Sequence, residues 1–143
     1  MHTSINARWE HFPHDADIGI RGYGADLNEA FAQTALALSA VISDLATITP
    51  YTPIEITAMA PDRELLLVDW LNALIYEMAT HKWLFSHFDV HIEDTTLHAS
   101  AWGERVDVGR HKPAVEVKGA TYTELRVAQL DDGSWLAQCV VDV

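Results

Sequence analysis

The segment His14-Asp15-Ala16-Asp17 places three ionisable side chains within four residues. Read as extended chain, it directs Asp15 and Asp17 to one side and His14 to the other. Two carboxylates on one side repel unless a cation or a proton lies between them. A D-x-D alone is weak, because loop aspartates ordinarily form turns or cap helices. The far end of the sequence adds a second acidic group. Alternation over residues 134–143 puts Leu136, Gln138, Val140 and Asp142 on one face of a strand and Trp135, Ala137, Cys139, Val141 and Val143 on the other. Asp142 with the α-carboxylate of Val143 would offer up to four hard oxygens in two consecutive residues. Ca²⁺ takes six to eight oxygens at roughly 2.3–2.6 Å, and Mg²⁺ fewer in a stricter octahedron. The ordinary reading of such an end is a frayed strand with solvated charges. Glu104, in Trp102-Gly103-Glu104, and His111 form a third group, a ligand or base and a proton carrier respectively. Residues of both types are more often plain surface.

Several chemistries are excluded. The sequence has no phosphate-cradling P-loop, no G-x-S-x-G, no H-E-x-x-H and no C-x-x-C. Its eight histidines and single cysteine make no zinc site by spacing. Cys139 lies in an apolar strand and reads as a core residue. No residue is assigned a catalytic role. The 21 acidic and nine basic residues give a charge of −12, which argues against a direct grip on nucleic acid. It suits a protein that binds a cation or a basic partner surface. Four of the nine basic residues (Arg105, Arg110, Lys112, Lys118) fall in one stretch that also holds Gly103, Gly109 and Pro113. That stretch reads as a loop, either simply solvated or a small basic contact patch on an acidic body.

These groups need a scaffold. A chain of 143 residues, 49% hydrophobic and 21% charged, is sized for one domain, 1–143, with a real core. A lone cysteine, no signal-like N-terminus and no long apolar run predict a cytoplasmic protein without membrane association. Residues 16–23 alternate as a strand whose glycines imply a bulge or a close backbone approach. Asp26 and Glu29 mark a helix start, and apolar residues from Leu27 to Ile42 form one stripe, ending near Asp44. Thr52–Ala60 reads as a strand that Pro50 and Pro53 confine to a sheet edge or place at its own beginning there. Asp62 caps a second helix, apolar around most of its circumference, with Asp69, Asn72, Tyr76 and Thr80 as its polar stripe. Beyond Lys82 the period is two: Leu84–Ile92, Leu97–Trp102, Tyr122–Leu130 and Ser134–Val143 read as strands, the last two joined by a tight turn at Asp131-Asp132-Gly133. The order predicts an α+β fold: a mainly antiparallel sheet with two helices packed on one face, in a single two-layer domain.

With these motifs assembled, the chain resembles the archease family over nearly its whole length. The carrying residues are His14-Asp15-Ala16-Asp17-Ile18-Gly19, Gly24 to Phe31, Glu64 to Asn72, Ala101-Trp102-Gly103-Glu104, His111, Val117 to Tyr122 and Val141-Asp142-Val143, all in order. The resemblance implies an accessory protein, not an enzyme: an activator of the RtcB-type RNA ligase of tRNA splicing and RNA repair. Such activators promote guanylylation of the ligase and its multiple turnover, so the link to tRNA and GTP is indirect. It also implies a bound divalent metal, calcium, with magnesium or manganese as alternatives, held by Asp17, Asp142 and the carboxylate of Val143. Lys118 is carried over as a required basic residue, and His14, Asp15, Glu104 and His111 as further residues toward the partner. Three positions depart from the family pattern: Asp15 stands for Thr, Thr123 for a His, and Ala73 for a Glu. Two rivals compete with this reading. One is a small metal-dependent phosphoesterase using His14, Asp17, Glu104 and His111. The other is a chaperone-like binding module, which would need an exposed apolar patch.

Overall fold

Helix α1 (Leu27–Ile42) begins where the sequence dictates. The Asp26 carboxylate accepts the Glu29 N–H at 2.8 Å, and Glu29 reaches back to accept the N–H of Ala25, also at 2.8 Å. This is a capping box with its return bond one residue earlier than usual. Asp62 does the same for α2 (Arg63–His81), accepting from Leu65 N–H at 2.9 Å. That helix stops on Lys82, which adopts the left-handed conformation. The computed structural model describes residues 7–143.

The remaining elements are β1 (Arg8–His14), β2 (Asp17–Gly24), a 3₁₀ turn (Leu45–Thr47), β3 (Thr52–Met59), β4 (Trp83–Glu93), β5 (Thr96–Arg105), a one-turn helix α3 (Val108–His111), β6 (Gly119–Ala120), β7 (Arg126–Gln129) and β8 (Trp135–Asp142). All pairing is antiparallel, as expected, and it divides between two sheets. One runs β1-β2-β8-β6, with β7 also on β8, and the other runs β3-β5-β4. Pro13 and Pro53 both sit on edge strands, where a missing N–H breaks no ladder.

Helix α1 packs on β2 and on β4, so it joins the two sheets, while α2 packs chiefly on β3. The glycines of β2 serve close approach. A Cβ on Gly22 would collide with the backbone of Ala30 and Thr34 in α1. The Thr34 hydroxyl, buried at that crossing, donates toward Ala30 O and Ala137 O, 2.8 and 3.0 Å away. Trp70, wholly buried in α2, donates its indole N–H to Phe31 O at 3.2 Å. Leu38, Leu66, Leu71, Phe85 and Leu97 complete a core without solvent access, each side chain contributing about 1.5–3 kcal/mol by burial. The polar stripe of α2 is exposed at Asp69, Asn72, Tyr76 and Thr80. Asn72 accepts the N–H of Ala120 at 2.9 Å and so occupies a donor of the short strand β6.

Three local expectations are revised. No strand was foreseen before residue 16, yet β1 pairs with the whole of β2 up to Tyr23. Residues 122–130 are a strand only at Arg126–Gln129. The Thr121 hydroxyl, donating to Val140 O and accepting from Thr123 N–H, bends the chain ahead of it, and Glu124 has a positive φ of 54°. The basic stretch after Arg105 is not all loop, because Asp107 caps α3 through Arg110 N–H.

Candidate functional site

The rows of the larger sheet determine where the acidic groups meet. His14 pairs with Asp17, and Asp15-Ala16 is the turn between β1 and β2, with Asp15 at a φ of 52°. Asparagine and aspartate tolerate this left-handed conformation better than most residues. The segment is therefore a hairpin and not one extended strand, and the expectation that Asp15 and Asp17 share a side is overturned. Asp15 points into solvent, its carboxylate 3.9 Å from His14 Nδ1.

β2 also pairs with β8, Ile18 opposite Val141. Continuing that register by one residue sets Asp17 against Asp142. Gly22, and with it Ile20 and Ile18, faces α1, so by alternation Asp17, Asp142 and His14 belong to the opposite face. On the other flank of β8, Gly119 pairs with Asp142, and Lys118 N–H donates to Asp142 O at 2.8 Å. The hairpin near the start and the last strand thus share one edge, with Lys118 exposed beside them. Asp17 is half-buried and Asp142 exposed. Among the described residues, neither carboxylate has a cationic side chain within 4.0 Å.

The chemistry of this edge is that of hard oxygen donors. Two carboxylates facing across neighbouring strands suit Ca²⁺, Mg²⁺ or Mn²⁺ rather than a thiophilic ion. They do not form a full cage: among the described residues, no three His, Cys, Asp or Glu side chains gather closely enough to hold a metal. The four residues that a phosphoesterase would need, His14, Asp17, Glu104 and His111, accordingly form no common metal cluster.

Glu104 and His111 meet each other elsewhere, at the end of β5. His111 is 2% exposed, so it is not the plain surface residue its type suggests. Its Nδ1 accepts the N–H of Asp107 at 2.8 Å, which leaves Nε2 to carry the proton and donate to Glu104 Oε2 at 3.0 Å. The same Oε2 accepts Thr49 N–H at 2.7 Å, and Oε1 takes Arg110 at 2.6 Å. Burial pushes the Glu104 carboxyl up, but the Thr49 N–H, His111 and Arg110 outweigh it and hold it below its ordinary value. Both carboxylate oxygens of Glu104 and both ring nitrogens of His111 are engaged within the chain.

Sequence reasoning missed a third polar group, on the face that carries Asp17. Arg21 donates to Gln138 at 2.8 Å and to Glu10, and it lies 4.4 Å over the Phe12 ring. Arg21 holds the Glu10 carboxyl below the usual range despite partial burial, with help from Arg8. The available signal was Arg21 alternating with Asp17 on one side of β2. Cys139 is fully buried, and burial pushes its thiol up to about 12, in keeping with its reading as core.

An α+β domain with a carboxylate-bearing edge where its first hairpin meets its last strand defines the class of protein. The archease protein family (MTH1598/TM1083) matches residues 9–143. Protein archease of Pyrococcus furiosus is 41% identical over 140 residues, covering 95% of this chain and 99% of the relative. Protein archease of Methanosarcina barkeri is 36% identical over 146 residues, covering 99% of each. The solution structure of Methanobacterium thermoautotrophicum protein 1598 superposes with a TM-score of 0.80 at 33% identity, covering 94% of this chain and 98% of that one. The chain belongs to the archease family. No helix among the described residues is long and apolar enough to cross a membrane.

Proposed function

We propose that this protein is a non-catalytic activator of an RtcB-type RNA ligase, promoting guanylylation of the ligase and its repeated turnover in tRNA splicing and RNA repair. The observation that carries this reading is the meeting of Asp17, Asp142 and Lys118 at one sheet edge in a chain of the archease family. Asp17, Asp142 and the carboxylate of Val143 would hold a divalent ion, calcium in the first instance, with magnesium or manganese able to replace it. When bound, that ion supplies a positive centre among carboxylates that otherwise repel. The chain's own side chains fall short of the oxygens that Ca²⁺ requires, so water or groups of the partner complete the set. An incomplete cage of this kind suits a shared metal at an interface.

The residues divide the work. The ladder between β2 and β8 fixes the separation of Asp17 and Asp142, so the acidic edge meets the partner without reorganising. Lys118, tied by its backbone to Asp142, presents an ammonium suited to a phosphate or an acidic side chain. His14, paired with Asp17, sits in the same row. Glu104 and His111 support the end of β5 rather than meeting the partner directly.

The test is a guanylylation assay of the cognate ligase with and without this protein, across divalent ions. Asp17→Ala should fold normally and lose stimulation by at least the 10–100-fold that disturbing even an outer coordination shell costs. A folded Asp17→Ala protein that stimulates as well as the wild type overturns the proposal.

A further inference from the structure

Strand β4 lies at an edge of its sheet, and its unpaired side faces α1. Its hairpin with β5 closes on the pair Glu93 and Thr96 around the turn Asp94-Thr95. Alternation points the main-chain groups of Glu93, His91 and Asp89 toward β5, and those of Ile92, Val90 and Phe88 away from it. The Ile92 N–H bears out this direction, because it donates to Asn28 Oδ1 of α1 at 2.8 Å. Among the described residues, no hydrogen bond reaches the N–H or C=O of Val90 or Phe88. Edges of this kind invite another strand unless something blunts them. The edges at β1 and β3 carry Pro13 and Pro53, whereas β4 has no proline.

Beside Phe88 and Val90 runs a groove of about 570 Å³, between α1 and residues 87–91. Asn28, Ala32 and Leu36, one stripe of α1, form the helix wall. From Asn28 to Leu36 the helix advances roughly 12 Å, and from 87 to 91 the strand advances roughly 13 Å. The two walls therefore run alongside each other for the same length, enough for about four residues of extended chain. Asp26, Glu29 and Asp89 line the groove, and no lysine or arginine does. Its other ionisable members are His87 and His91, with His87 3.2 Å from Asp89. Asp26 and Glu29 bond to backbone N–H groups at the start of α1, and among the described residues neither has a cationic side chain within 4.0 Å.

We infer that the groove between α1 and the edge of β4 docks an extended, basic segment of the partner ligase, which joins the sheet beside β4 as an added strand. The N–H and C=O of Phe88 and Val90 pair with the main chain of that segment, and this supplies affinity. Side chains of an added strand alternate between two faces, so its lysines or arginines meet Asp89 on one and Glu29 on the other. These charges supply encounter rate and orientation. They also select the occupant. A second copy of this chain would bring the same carboxylates against themselves, and nucleic acid would bring phosphates. The identity of the partner rests on the ligase-activator reading; the strand-accepting edge does not.

Hydrogen–deuterium exchange of the full chain, resolved to single amides by mass spectrometry with electron-transfer fragmentation, tests this directly. Without ligase, the Phe88 and Val90 amides should exchange faster than those of Asp89 and His91, which pair with β5. Saturating cognate ligase should slow the first two by at least about 10-fold, as a newly formed ladder does. Ala32→Lys with Asp89→Lys, which fills the groove and reverses its charge, should weaken ligase binding by at least about 10-fold, with guanylylation fully stimulated again at high concentration. Should this pair fail to fold, judged by circular dichroism, Asp89→Asn replaces it, with several-fold weaker binding and a smaller salt dependence. Ligase that binds and is stimulated without slowing exchange at Phe88 and Val90 overturns the groove and leaves the activator reading standing. Ligase that slows their exchange but is not stimulated overturns the activator reading and leaves the groove standing. Slow exchange at both amides in the free chain, whether constant or rising with protein concentration, shows the edge already filled by this chain or by a second copy, and likewise overturns the inference.

Discussion

Two groups of acidic residues drew attention for the same reason, and the molecule treats them oppositely. At the end of β5, Glu104 gives both its oxygens to partners within the chain, and His111 gives both its ring nitrogens. At the edge where β2 meets β8, two aspartates share a row with no cationic partner within 4.0 Å among the described residues. A carboxylate that accepts a backbone N–H, an imidazole N–H and a guanidinium is a structural joint, since its lone pairs are already taken. Two like charges held opposite each other by a ladder cost stability, and a structure retains such a cost when something outside the chain offsets it. Residue type alone does not separate a joint from a site. The pairing of every donor and acceptor does.

The largest effect on stability is expected at the joint. His111→Ala leaves the Asp107 N–H without its side-chain partner, removes one of the two donors to Glu104 Oε2 and opens a cavity at a buried position. Together these cost about 3 kcal/mol, which lowers Tm by roughly 6–12 °C in a domain of this size. Stimulation per folded molecule should stay at the wild-type level below the transition. Thermal denaturation followed by circular dichroism, with the assay run at low temperature, checks both halves. A variant with unchanged Tm would show that the cluster is not a joint.

A smaller effect follows from the Glu104 carboxyl being held below its ordinary value of 4.5. A group depressed in the folded state contributes stability that is fully present above its unfolded value. That contribution is lost as the pH falls through the folded value. Glu104→Gln should therefore reduce stability at neutral pH, and its deficit relative to wild type should narrow on acidification below about 4.5. Urea unfolding at a series of pH values reads this directly. A deficit that is constant with pH would mean that the charge of Glu104 contributes nothing.

How far the sequence reveals this contrast depends on how local each feature is. Asp26 and Asp62 were legible as caps because a cap involves only three or four neighbouring residues. The edge position of β3 was legible from Pro53 for the same reason. Strand β1 was not, since Trp9 to Pro13 carries a histidine and a proline and gains its identity only by pairing with β2. The turn at Asp15 was misread as extended chain, because that turn is set by the register between β1 and β2 rather than by the D-x-D itself. His111 bonds to Glu104, seven residues before it, but Glu104 is held in turn by Thr49, far away in sequence, and no spacing rule reports that joint. The meeting of Asp17 with Asp142 joins residues more than a hundred positions apart. It was reachable only through the family resemblance together with the acidic end of the last strand.

The smallest effect bears most directly on the comparison, because its sign reverses with conditions. In a chelator, Asp17→Asn removes one of two facing carboxylates and with it their repulsion. Like charges directly opposite on a sheet cost a few tenths of a kcal/mol, so the variant should be more stable than wild type by about 0.3–0.5 kcal/mol, or roughly 1 °C in Tm. Saturating Ca²⁺ should reverse the order. Wild type gains stability as the logarithm of free ion over its dissociation constant, about 2.7 kcal/mol at a hundredfold excess, and the variant, lacking a ligand, gains far less. A joint behaves differently: removing one of its members destabilises in both buffers alike. If Asp17→Asn lowers Tm in the chelator as much as it does in calcium, Asp17 is a structural residue like Glu104, and the distinction between the two regions fails.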